Sequence, residues 1–229
     1  MNTHTLVAIS TFVAASTLGA QKAPDITPYL IADRAAEVAL ARTAAPSNVS
    51  ENATVLVLTP KGYTEAVRGT NGFTCIVMRS FAAAPDDPQF WDTHISAPHC
   101  FNPPAARTVL PAVLAQIDWA LAGATPAELN ARMKKAYADK RFTMPAAGAM
   151  TYMLSPKQHL SDADDPHWMP HLMFYYDGAL KGSTFGAAGF TAPIIDATAA
   201  IPNAPVQVIY IPVRTWSDGT PAVHPAPRK

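Results

Sequence analysis

Proline sets the first limit on this chain. It occupies 22 of 229 positions, against about 5% in an average protein, and each proline fixes φ and removes an amide donor. That density excludes long uninterrupted helices and predicts short elements joined by ordered turns. Apolar residues make up 49% of the chain, enough to build one substantial core.

The strand signals are apolar and β-branched. Residues 54–58 (TVLVL) form a continuous apolar run before Pro60 and Gly62, the pattern of a buried strand. Residues 62–68 follow, then Gly69-Thr70-Asn71-Gly72, then 73–79 (FTCIVMR). Asn-Gly favours a hairpin because both residues tolerate positive φ, so 54–79 is expected to be an antiparallel meander. Further strands are expected at 149–154, 171–176 and 206–213 (VQVIYIPV in the last). Residues 81–102 read as an irregular loop anchored by Phe90, Trp91 and Phe101, and 178–189 as a glycine-rich mobile loop.

The helix signals are caps. Thr27-Pro28 is expected to open a helix over 28–43, with Leu30, Ile31 and Val38 inward and Glu37 toward solvent. Asn102-Pro103-Pro104 opens another, interrupted by Pro111, and Thr125-Pro126-Ala127-Glu128 is a capping box for its partner, giving a helix pair over 105–140. The expected fold is a single α+β domain over 24–221: an antiparallel sheet with helices packed mainly on one face.

Compartment is read from three features. Residues 1–20 resemble a secretory signal, with an apolar stretch at 6–13 followed by small residues. That stretch is shorter than the roughly 20 residues needed to span a bilayer, so no membrane anchor is expected once it is removed. Two cysteines, Cys75 and Cys100, suit a disulfide in an oxidising compartment. Closing such a loop stabilises by about 3.5 kcal/mol in the chain-entropy model. The alternative is a reactive Cys100 thiol with His99 as base, a poor geometry because neighbours on a strand point to opposite faces. The expected location is therefore periplasmic or extracellular. Balanced charge, 17 basic against 17 acidic residues, gives no electrostatic footprint for nucleic acid or anionic lipid. The tail at 222–229 is expected to be disordered.

The candidate site is the connection between strands 149–154 and 171–176. It holds His159, Asp162, Asp164, Asp165, His167, Trp168 and His171. As a binding site for an unknown ligand it would use His159, His167, Trp168, His171 and Tyr175, with no cofactor. The alternative is a metal-dependent hydrolase, with Zn²⁺ or a similar ion held by His167, His171 and Asp164 (or Asp162 in its place), and His159 beside them. Pro166 and Pro170 forbid a regular helix there. No HExxH is present, and DADD lacks the glycine and distal glutamate of a calcium loop. Two weaker arrangements remain. A serine nucleophile would be Ser155, Ser183 or Ser217, none within G-x-S-x-G. A carboxylate pair would be Glu65 with Asp92.

The segments GTNGFTCIVMRS, CFNPPAAR, AMTYML, HWMPHLMFYY and PVRTWSDGTPA together resemble a family of exported bacterial proteins with no assigned activity. The resemblance spans most of residues 35–221. Histidine is frequent in that family where this chain has Met169, a departure that removes one ligand from the metal alternative. The resemblance implies export and adds no chemistry. The reading is thus an exported ligand-binding or structural module, with the metal-dependent hydrolase as its alternative.

Overall fold

The computed structural model describes residues 25–162, 168–190, 192–197 and 205–222. The expected signal at 1–20 and all but the first residue of the expected tail lie outside them.

The chain is α+β, built on a mixed eight-stranded sheet. The strands are β1 (Thr54–Thr59), β2 (Gly62–Val67), β3 (Thr74–Met78), β4 (Ala97–Phe101), β5 (Met150–Met153), β6 (His171–Asp177), β7 (Ile195–Asp196) and β8 (Val206–Pro212). Their order is β2-β1-β3-β4-β5-β6-β8-β7. Every neighbouring pair is antiparallel except β1 and β3.

That exception corrects the expected meander. Strand β2 turns back along the outer side of β1, and β3 then pairs with the inner side in parallel. The Gly69–Gly72 stretch is therefore a crossing beneath the start of β1, not a hairpin turn. The Thr70 amide donates to Asn52 O at 2.9 Å, and Asn71 Nδ2 donates to Val49 O at 2.7 Å. Gly69 is pressed so closely on β1 that a Cβ there would lie 2.1 Å from the Thr54 nitrogen.

Strand β4 lies where an irregular loop was expected. All five of its residues are buried. A strand covered on both faces shows no alternation of polarity, and Pro98 further disguised it. Strand β7, two residues long, was also not anticipated.

The helices are α1 (Arg34–Arg42), α2 (Ser47–Ser50), α3 (Pro103–Thr108), α4 (Leu110–Leu121) and α5 (Pro126–Ala138). The first starts later than expected. Residues 27–29 make only a 3₁₀ turn, and the cap is Asp33, whose carboxylate accepts from the Ala35 amide at 2.8 Å. The Asn102 cap and the Thr125/Glu128 capping box are present, and the chain breaks between α3 and α4 just before Pro111.

Helices cover both faces of the sheet rather than mainly one. Helix α1 buries Ala41 against Val55, Val57, Cys75, Val77 and Cys100. Ala105, Val109 and Leu110 of the α3–α4 region pack with Leu56, Ile76 and Phe101. These are alternate residues of the same strands, so the two clusters lie on opposite sides.

Glu37 corrects another expectation, since it is 1% exposed. Strand β1 pairs with β3 only as far as Leu56. Beyond that point the Leu58 amide donates to Glu37 Oε1 at 3.1 Å. The same oxygen accepts from Arg79 Nη2 at 3.0 Å. Arg79, also buried, donates to the carbonyls of Tyr29 and Val77.

The Cys75–Cys100 disulfide is present, joining directly opposed residues of β3 and β4. Both cysteines are fully buried. Replacing them with alanine is expected to cost about 3.5 kcal/mol, read as a lowered urea midpoint relative to the oxidised protein.

Candidate binding cleft and histidine sites

The face carrying Ile76 and Phe101 is only partly covered. Past the Cys100–Tyr152 pair, β5 leaves β4. The Leu154 amide reaches Ala44 O on the other side of the sheet, and contact with the β4 side resumes only at the Ser96–His159 bridge. This divergence leaves a cleft of about 1320 Å³. Its floor is Met78, Ala97, His99, Met153, His171, Met173 and Tyr210. Strand alternation and register place all of them on one face. Gln116 of α4 and Met133 of α5 wall one side, Ser80 and Gln89 line it from the 79–89 segment, and Trp168 and Phe190 stand opposite.

The floor is mostly apolar apart from a few buried polar atoms, while Asp86, Asp87, Asn130 and Lys134 line the cleft elsewhere. His99 Nδ1 lies 2.8 Å from Ala97 O, and His171 Nδ1 lies 2.9 Å from Met169 O. A carbonyl can only accept, so in each ring Nδ1 carries the proton and donates. Nε2 is then a bare acceptor, and no hydrogen bond engages it in either ring among the described residues. Burial lowers each imidazole to about 4, so both are neutral at pH 7. The Ser80 hydroxyl is buried and has no partner among the described residues. Tyr210 is pushed up to about 12 by burial and is likewise neutral. Trp168 packs on His171 with ring centroids 4.6 Å apart, and on Tyr210 and Phe190 at 5.6 and 6.4 Å.

The sequence-selected residues part company here. Trp168 and His171 line the cleft. Tyr175 lies deeper, its hydroxyl 2.6 Å from Thr151 Oγ1 and its ring stacked on Phe101. His159 is not among the lining residues. It sits at the surface, where its Nε2 meets Asp162 Oδ1 at 2.5 Å, while His94 Nδ1 meets Asp162 Oδ2 at 2.6 Å. The Asp162 carboxylate holds His94 above the ordinary imidazole range, and the two rings hold Asp162 below the ordinary carboxylate range. His167 and Asp164 lie outside the described residues. The chain matches no protein-family model, no curated protein and no solved structure. Its chemistry is therefore read from this geometry alone.

The weaker candidates have other partners. Ser155 is fully buried and shares a 2.6 Å hydrogen bond with Thr43. The Ser217 amide donates to Leu154 O within a turn, and Ser183 lies in a short 3₁₀ turn at 182–185 in the glycine-rich segment. Glu65 pairs with Arg68, and Asp92 Oδ1 accepts from the His94 amide. Sequence reasoning missed His99, Ser80 and Tyr210 as cleft residues. The cysteines held a usable clue to His99: a strand at Cys75 bonded to Cys100 draws 97–101 alongside it.

Proposed function

We propose that this protein is an exported binding module for a small, mostly apolar molecule bearing a hydrogen-bond donor. One observation carries the reading: two neutral imidazoles present unengaged Nε2 acceptors on the otherwise mostly apolar floor of the cleft. Apolar pockets with a few placed polar groups are the usual form of a small-molecule site. Methionines at 78, 133, 153 and 173 supply an adaptable lining. Trp168 and Phe190 offer aromatic faces at the mouth. The buried disulfide supports maturation in an oxidising compartment.

The reading is tested with 2-naphthol and naphthalene, which differ by one hydroxyl, in equilibrium titrations. A donor that meets a buried acceptor is worth about 1 kcal/mol, so 2-naphthol should bind roughly five times tighter. A His99→Phe, His171→Phe double variant should abolish the difference while leaving naphthalene bound. Equal affinity for the two probes, or binding of neither, would overturn the proposal.

The second reading is a metal-dependent hydrolase on His159, His167, His171 and Asp164. It is less well supported, because His171 lines the cleft and His159 does not.

A further inference from the structure

We propose that His94, His159, Asp92 and Asp162 form a binding site for a zinc-like divalent cation at the rim of the cleft. This is independent of what the cleft binds. The four residues come from two segments, 92–94 and 159–162, clamped together by paired backbone hydrogen bonds between Ser96 and His159, both 2.9 Å. One ligand atom each from Asp92, His94 and Asp162 lies within 4.8 Å of the others.

His159 lies just outside this group and would join it by a rotation of its ring. Its Nε2 and the Nδ1 of His94 face opposite oxygens of the single Asp162 carboxylate. The two ring centroids are 6.4 Å apart and nearly perpendicular. In a tetrahedral zinc site with Zn–N bonds of about 2.0–2.1 Å, two imidazole centroids lie roughly 5–5.5 Å apart, so the rings must close by about 1 Å on binding. Asp92 Oδ1 lies 3.7 Å from His94 Nδ1. Two imidazole nitrogens and two carboxylates form a donor set that suits zinc, whereas magnesium prefers oxygen ligands and water.

The bland alternative is that Asp162 merely bridges two surface histidines by hydrogen bonds. Position favours a role beyond that. Leu160 and Ser161 line the cleft, and Gln89 Oε1 accepts from both Ser161 Oγ and the Asp162 amide. An ion here would clasp one lip of the opening.

The test is calorimetric titration of the full chain with Zn²⁺ alone, then Mg²⁺ alone. The expected result is one zinc per chain and no comparable response to magnesium. His94→Gln keeps a side chain able to hydrogen-bond Asp162 but removes the imidazole, and Asp162→Asn removes the shared charge. Each should weaken zinc binding at least about tenfold. These side chains are at the surface, so circular dichroism should show both variants folded. Zinc should raise the melting temperature of the parent chain by several degrees and leave the His94→Gln, Asp162→Asn double variant unmoved. Absence of zinc binding at millimolar concentration, or equal binding by the double variant, would overturn the proposal.

Discussion

Replacing Glu37 with alanine should lower stability by about 3–5 kcal/mol, the usual cost of stranding one member of a buried ion pair. In a domain of this size, that is a fall of roughly 10–15 °C in melting temperature. The reason is local. The Arg79 guanidinium is 4% exposed at the residue level and would keep only the Tyr29 and Val77 carbonyls. The Leu58 amide would also lose its acceptor. Glu37→Gln should cost less, since an amide oxygen can still accept from both. A Glu37→Leu, Arg79→Met double variant should recover much of the loss by removing both buried charges together. Urea midpoints for the four proteins decide this. A Glu37→Ala midpoint within about 1 kcal/mol of the parent would show the pair to be dispensable.

Acid should weaken the fold well before the carboxylates titrate. In the unfolded chain His99 and His171 take up protons near 6.5. In the folded protein burial delays this to about 4, and a charge on His99 further disfavours one on His171. Between those values the unfolded state binds protons that the folded state refuses, so stability declines as pH falls. Each ring is worth up to about 3 kcal/mol between pH 7 and pH 4, somewhat less where water enters the open cleft, and the pair on the order of 4–6 kcal/mol. Other groups act weakly in this window. His94 is held high by Asp162 and so favours the folded state at low pH, but it is at the surface and solvent-screened. The stability from Asp162, Asp218, Asp25 and Glu128, all held low by hydrogen bonds, is lost only below the ordinary carboxylate range. Asp118, raised by burial, opposes the histidines only near the bottom of the window. Urea unfolding at a series of pH values should show the decline, and a His99→Gln, His171→Gln variant should flatten it. An unchanged slope in that variant would mean the rings are wetter than their burial implies.

Local chemistry was readable from the sequence, and long-range pairing less so. The Thr125–Glu128 capping box, the Asn102 cap and the disulfide rest on short-range rules or on a single available partner. Strands β5 and β6 were expected to flank the histidine connection, and they do pair, from Met150↔Phe174 to Met153↔His171. Strand β3 was assigned to the wrong neighbour because a hairpin signal at Asn71-Gly72 also serves a crossing loop. That choice was made by Asn52 and Val49, residues distant in sequence. Glu37 looked solvent-facing because its partner lies 42 positions away. His99 was hidden by a strand with no polar face. For the site, the sequence joined His159 and His171, which the divergence of β4 and β5 separates.

The two outer margins of the sheet bear on how copies of this chain meet. One is the two-residue β7. The other is β2, where Glu65 and its partner Arg68 are exposed and Arg34 Nη2 already occupies the Glu65 carbonyl at 3.0 Å. A strand from a neighbour would find too little backbone at one margin and a charged, partly blocked one at the other. Among the described residues, edge-to-edge stacking of copies is disfavoured at both.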